Sequence, residues 1–205
     1  KTVSKQEIRE NQKSKRNQYT NEMRKSLNKR VYKLMDYLFN YIENVNDFKH
    51  RSPNNRIIIF IYLSSYEKVE VDTWNIISDL LKKDNYVVYV PKIVGNMIVP
   101  VKYSNSFTIN RYGIFECNSI RGEDDNIEII PDIIITPLLA FSINGDRIGY
   151  GGGYYDRYLA NVKQNKKHCV TVGLSFENHT TSKWNIQKHD IKLDYVVSSM
   201  KIYEF

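Results

Sequence analysis

Apolar residues recur along this chain with two periods, and the change of period marks the elements. Leu27, Val31, Leu34, Met35, Leu38, Phe39 and Ile42 repeat at three and four residues, which predicts a long amphipathic helix with one buried stripe. Ahead of it, Ser4 followed three residues later by Glu7 reads as a capping box opening a first helix. That helix carries Lys5, Arg9 and Lys13 four apart on one face, a pattern that by periodicity alone describes a solvated charged surface. From Arg56 to Leu63 the sequence turns into a short β-branched run, predicting a buried strand. A polar turn and a helix over Thr73 to Lys83 follow, with Trp74, Ile77 and Leu81 expected inside. Tyr86 to Val90 (closed by Pro91), Met97 to Val101, Ile133 to Thr136, Val170 to Gly173 and Tyr195 to Ser198 are the remaining predicted strands, and Tyr154 to Lys163 the last helix. Strands alternating with helices predict an α/β fold, a three-layer sandwich whose mostly parallel central sheet is open, Rossmann-like and flanked by helices. Ser104 to Glu128 shows no clear period and is expected to be an irregular lid or rim.

Composition changes this picture little. With 205 residues, a single domain over 1–205 is expected. No apolar run approaches the ~20 residues of a membrane span, and no secretory pattern opens the sequence. Cys117 and Cys169 match no metal spacing, which predicts reduced structural thiols in a cytoplasmic protein without a membrane partner. A monomer is expected. The net charge of +7 is local: residues 1 to 33 hold eleven Lys or Arg against three Glu, and the remainder 19 against 20 acids. The basicity therefore belongs to the N-terminal helices, and no nucleic-acid partner is expected.

The densest chemistry lies in Pro137 to Leu159, PLLAFSINGDRIGYGGGYYDRYL. Gly149, Gly151, Gly152 and Gly153 are four of only nine glycines. Successive free N–H groups in such a loop form an anion nest, and a helix opening at Tyr154 would aim its first-turn donors at the same spot. Arg147 and Arg157 flank the run with guanidinium forks suited to phosphate oxygens, and Asp156 offers a hard carboxylate for Mg²⁺. A glycine run can simply reverse the chain, and this one has neither the third glycine of a dinucleotide fingerprint nor the Gly-Lys-Ser/Thr of a P-loop. The company of Arg147, two tyrosines and Asp156 is what points to a nucleotide phosphate site.

These residues, Arg147-Ile-Gly-Tyr-Gly-Gly-Gly-Tyr-Tyr-Asp156-Arg157 preceded by Pro137-Leu-Leu-Ala-Phe141, resemble the signature of the 5-formyltetrahydrofolate cyclo-ligase family. The resemblance extends from Lys5-Gln-Glu-Ile-Arg9 through Glu70-Val-Asp-Thr73 and Tyr112-Gly-Ile-Phe-Glu116 to His189-Asp190-Ile-Lys-Leu-Asp194. It implies conversion of 5-formyltetrahydrofolate and ATP to 5,10-methenyltetrahydrofolate, ADP and phosphate, with Mg²⁺. The formyl oxygen is a hopeless leaving group until the γ-phosphoryl group is transferred to it; N10 then attacks the same carbon and phosphate departs.

The resemblance also implies roles. Lys5 and Arg9 lie on ATP phosphates, which replaces the solvated-face reading at those two positions. Arg147 binds ATP and stabilises the transferring phosphoryl group, and Gly149, Gly151, Gly152, Gly153 and Tyr155 complete the ATP segment. Tyr154, cast as catalytic, and Tyr150 also touch the folate together with Gly151, Gly152 and Gly153. Glu70 faces the donor-rich pterin edge, and Asp156 with Asp190 holds Mg²⁺. Tyr103, Tyr112 and Phe115 are candidates to stack on the folate rings or to pack as ordinary core. The chain departs from the family pattern in a loop about two residues longer before Glu70, which makes Glu67 a rival for its place. It also has Phe115 and Cys117 where prolines are common, and Ser142 for a frequent Asp. Three other readings stand beside it: a folate or nucleotide carrier without turnover, a sugar-phosphate isomerase using His179 and His189, and an RNA-binding module using the N-terminal basic face.

Overall fold

The computed structural model describes residues 2–46, 48, 56–111, 113–118, 129–165 and 168–205. Ser4 Oγ accepts from the Glu7 N–H at 3.1 Å and opens α1 (Lys5–Asn17). Thr20 Oγ1 likewise caps α2 (Asn21–Val45) through the Met23 N–H at 3.2 Å. The predicted stripe of α2 is its buried face, with Val31, Met35, Leu38, Phe39 and Ile42 all inside. β1 (Ile57–Ile61), α3 (Trp74–Leu80), β2 (Tyr86–Val94) and β3 (Met97–Lys102) follow, then a hairpin of β4 (Phe107–Ile109) and β5 (Phe115–Cys117). The remaining elements are β6 (Ile133–Pro137), a small hairpin of β7 (Ala140–Phe141) and β8 (Arg147–Ile148), α4 (Tyr154–Asn165), β9 (Val170–Leu174), β10 (Tyr195–Val197) and β11 (Ile202–Glu204).

Seven strands form the main sheet in the order β11-β10-β9-β6-β1-β2-β3. Its five inner strands are parallel, and both outer strands pair antiparallel. Because side chains alternate along a strand, neighbouring isoleucines serve opposite layers. Ile59, Ile133 and Ile135 pack under α2 and α3, whereas Phe60, Ile134 and Val196 pack against Tyr158, Leu159 and Val162 of α4. Burying one such side chain contributes about 1.5–3 kcal/mol, so two continuous apolar layers hold the three-layer sandwich together. The β1 run is apolar at every position because both of its faces are covered.

α1 lies outside the sandwich, against the β7–β8 hairpin through Ile8, Ala140, Ile148 and Trp184. Its last turn is pinned by Arg16, 1 % exposed, whose Nη2 and Nε donate to Glu177 at 2.9 and 3.3 Å. The Tyr19 hydroxyl donates to the same carboxylate at 2.8 Å, so the buried charge is paired and bonded from two sides.

Three details differ from the expectation. The helix after the first strand ends at Leu80, burying Ile76, Ile77 and Leu80, while Leu81 caps it and is 51 % exposed. The helix is one turn shorter than its periodicity implied, so the apolar face closes before Leu81. β2 does not stop at Pro91 but runs on to Val94, with Pro91 opposite Pro100 of β3. Pairing with β1 ends at Tyr89, so the missing Pro91 N–H interrupts no inner ladder. Part of the stretch expected to be irregular forms the β4–β5 hairpin; residues 119–128 lie outside the described residues.

Candidate active site

The chain leaves β1 toward α3 on one face of the sheet and leaves β6 toward α4 on the other. Adjacent parallel strands whose connections diverge in this way open a crevice at their carboxyl ends. Two loops face it, Tyr62 to Thr73 after β1 and Leu138 to Gly153 after β6.

The second loop carries the glycine run. Gly151 and Gly153 adopt φ of +109° and +66°, conformations that a side chain would strain. Arg9 reaches across from α1, donating from Nε to the Gly149 carbonyl at 2.9 Å. Arg147 is buried, and its Nη2 donates to Asp156 Oδ1 at 2.8 Å at the first turn of α4. Among the described residues its Nη1 reaches only the Pro137 carbonyl, at 3.4 Å, and its Nε has no hydrogen-bond partner. The predicted phosphoryl-stabilising cation and the predicted metal carboxylate thus hold each other. Lys5 and Asp190 do the same: Lys5 Nζ donates to Asp190 Oδ2, which also accepts from the Gln187 N–H at 2.8 Å. Partial burial pushes the Asp190 pKa up, but these hydrogen bonds and the charges of Lys5 and His189 outweigh it and hold the carboxyl below its ordinary range. Arg157, expected to flank the nest, is committed to carbonyls, donating to Asn96 at 2.6 and 3.0 Å and to Gly152 at 2.9 Å.

The first loop explains the polar residues of the Glu70-Val-Asp-Thr73 run. Thr73, fully buried, donates to the Tyr62 carbonyl at 2.7 Å and accepts from the Ser64 N–H at 3.0 Å, closing the loop's base. Asp72 Oδ1 accepts from the Trp74 N–H at 2.8 Å and so opens α3, while its own N–H donates to Asn28 of α2 at 2.9 Å. Val69 has φ +51°, an outlier for a β-branched residue, and it turns the chain so that Glu70 Oε2 accepts from the Ser65 N–H at 2.7 Å. Burial raises the Glu70 pKa, against the opposing Ser65 N–H and the charges of Lys68 and Arg16. Glu70 lines a cavity of about 410 Å³ with Ser64, Tyr66, Trp74 and the first two turns of α2. Glu67 is exposed and does not line it, so the longer loop leaves Glu70 in place.

Tyr150 joins the two loops. Its ring lies under Lys13 of α1 and Lys68 of the Glu70 loop, at 5.8 and 5.6 Å. Its buried hydroxyl has no hydrogen bond of good geometry among the described residues; burial and the nearby Glu70 charge raise its pKa, with Arg16 acting the other way. Tyr155 stands under the Arg147 guanidinium at 5.8 Å and also feels the Glu70 charge, whereas Tyr154 lies under Arg157 at 5.1 Å beside Gly152. At the cavity rim, Trp74 meets Phe107 and Phe115 edge-on at 5.5 and 5.8 Å, and Tyr103 meets Phe107 at 5.8 Å. Phe115 thereby packs the β4–β5 hairpin onto the cavity; Tyr112 lies outside the described residues. Ser142 bonds Asp146 at 2.8 Å within the β7–β8 turn. His179 packs against Phe141 and Tyr203.

Sequence reasoning missed Asn21, Arg24, Lys25 and Asn28 as cavity residues. Their spacing of three, four and seven along α2 was the available signal, a polar stripe flanking the apolar one. Among the described residues, no group of three or more His, Cys, Asp and Glu is placed to hold a metal, and no helix is long and apolar enough to cross a membrane. Asp156 and Asp190 offer the hard carboxylate oxygens that Mg²⁺ takes, and each is held here by a cation of the protein, Arg147 and Lys5.

The comparisons with known proteins bear on the family and the fold. The sequence model of the 5-formyltetrahydrofolate cyclo-ligase family matches residues 1–199. The chain is 33 % identical to the 5-formyltetrahydrofolate cyclo-ligase of Escherichia coli K12 over 147 residues, 66 % of this chain and 75 % of that one. It is 29 % identical to that of Mus musculus over 157 residues, 72 % and 76 % of the two chains. Among solved structures, the Aquifex aeolicus 5,10-methenyltetrahydrofolate synthetase superposes with a TM-score of 0.67 at 25 % identity, covering 98 % of this chain and 92 % of that one. The Mycoplasma pneumoniae synthetase shares the fold, with a TM-score of 0.65 at 18 % identity over 95 % and 98 % of the two chains. With the family match running over nearly the whole length, the chain belongs to the 5-formyltetrahydrofolate cyclo-ligase family.

Proposed function

We propose that the protein closes 5-formyltetrahydrofolate to 5,10-methenyltetrahydrofolate at the expense of ATP, with Arg147, Lys5 and Arg9 on the phosphates and Glu70 on the pterin. The observation that carries this reading is Tyr150, a residue of the glycine loop whose buried hydroxyl lies beside the cavity acid Glu70. The glycine loop thus reaches the acid of the cavity through one residue, which supports a reaction between two substrates bound side by side.

ATP binding exchanges partners. The γ-phosphate oxygens take the guanidinium of Arg147 and the ammonium of Lys5; Asp156 and Asp190, so released, would hold Mg²⁺, which would neutralise phosphate charge. The glycine run brings its backbone close to the triphosphate, and Arg9 holds that run to α1. Glu70 accepts from the amino-pyrimidinone edge of the folate, and Tyr150 and Tyr154 border the reacting end. The formyl oxygen attacks the γ-phosphorus and ADP leaves; N10 then bonds to the formyl carbon and loses its proton, and phosphate departs with the C–O electron pair. For the protein this is mainly positioning and charge stabilisation.

The test mixes the protein with 5-formyltetrahydrofolate and Mg-ATP and follows the near-UV absorbance of the methenyl product, with ATP-free and Asp156→Ala controls. Absorbance that grows only with ATP and with Asp156 present supports the reading. Binding of both ligands without product would make the protein a carrier, and failure to bind folate would remove this function.

A further inference from the structure

The cavity beside Glu70 holds its acids and its bases differently. Glu70 accepts from the Ser65 N–H, and Asp72 accepts from the Trp74 N–H and the Asn75 side chain, so both carboxylates are engaged by the protein. Arg24 is not. Its guanidinium is stacked on Tyr66 at 4.7 Å, and that ring is held in turn by a hydroxyl bond to Asn21 at 2.6 Å. Nη1 makes one long bond to the Tyr66 carbonyl, 3.3 Å, and the buried Nε makes none among the described residues. A planar fork fixed in place with donors left over is suited to a carboxylate. Lys25 follows on the same cavity wall with its side chain exposed. We propose that Arg24, supported by Lys25, receives the carboxylate end of the folate and is the residue that selects substrates carrying an anionic tail. The inference rests on the folate reading above: a ligand with a donor-rich heterocycle at one end and carboxylates at the other matches a cavity offering Glu70 for the first and Arg24 for the second.

Calorimetric titration without ATP tests this, using 5-formyltetrahydrofolate and its diamide, in which both tail carboxylates are carboxamides. The natural protein should bind the dicarboxylate about 10- to 100-fold tighter than the diamide, the range of one or two charge-assisted hydrogen bonds. Arg24→Ala should remove most of that preference while diamide binding stays the same, and Arg24→Lys should restore part of it. An unchanged ATP titration shows that the variants are folded. Equal weakening of both ligands would reduce Arg24 to a wall of the cavity and overturn the inference, as would a natural protein that does not discriminate. If ATP binds and neither folate does, the proposed function falls and this inference with it; if both folates bind equally, only the inference falls.

Discussion

The two loops that face the crevice prepare for ligands in opposite ways. On the glycine side the charges expected to act are paired within the protein: Arg147 with Asp156, Lys5 with Asp190, Arg9 with the Gly149 carbonyl. On the Glu70 side the shape is fixed in advance by Thr73, Asp72 and the left-handed Val69, and the Arg24 fork keeps a free donor. A self-neutralised site gains from a ligand only the difference between new and old ion pairs, so it favours one that brings anion and cation together, as Mg-ATP does. A pre-shaped site carries its cost in the folded protein instead, as backbone strain and a buried acid.

The sharpest way to break this contrast is at Arg147. Arg147→Ala should lower kcat by about 10²- to 10³-fold, the effect of losing one preorganised charge donor in a transition state. Steady-state rates with saturating ATP would show it, and Arg147→Lys, which keeps charge without the fork, should fall in between. Full activity in Arg147→Ala would mean that the pair with Asp156 is only structural.

Glu70→Gln sharpens the other half. Folate affinity should drop about tenfold, as when one charge-assisted bond becomes neutral, with the ATP dissociation constant unmoved in the same titrations. Stability should move the opposite way. Burial raises the Glu70 pKa, so between the ordinary carboxylate value and that raised value the folded state holds more protons than the unfolded one. Stability contributed by the protonated form is lost as pH climbs through that window. The glutamine variant should therefore melt higher at neutral pH, and the two melting curves should converge below the ordinary carboxylate pKa.

The smallest effect belongs to Val69→Gly. Relief of about 1–3 kcal/mol of backbone strain and loss of about 1.5–3 kcal/mol of side-chain burial nearly cancel, so the thermal midpoint should change little. Folate binding should weaken several-fold because the turn is no longer preset. A large loss of stability with normal folate affinity would place Val69 in the core rather than in the site.

Much of this was readable from residues alone. The α2 stripe, the Ser4 cap and the two-faced run of β1 follow from period and capping chemistry, which act over a few residues. The order of the family motifs also ties Glu70 to the glycine run in the sequence itself. What escaped depends on how side chains meet in space. Arg147 and Asp156 stand in one motif, yet nothing in it shows that they are bonded to each other, and nothing near Pro91 shows that the β1 ladder ends two residues before it. Arg24 escaped for a related reason: a basic residue on a basic helix gains meaning only when Tyr66, 42 residues on, stacks beneath it.

The paired prolines of β2 and β3 have a consequence beyond the site. A parallel sheet built from isoleucine-rich strands is a template for self-association wherever its outermost strand offers a regular row of donors and acceptors. Here that strand is MIVPVK, interrupted by Pro100 and ended by Lys102, and the opposite border is the three-residue β11, which ends in Glu204. Facing prolines fit an antiparallel ladder only at a pair that exchanges no hydrogen bonds, which turns the Pro100 nitrogen outward, where an incoming strand would seek an N–H. The residue that looked like the end of a strand is thus half of a device that keeps one copy's sheet from continuing into the next.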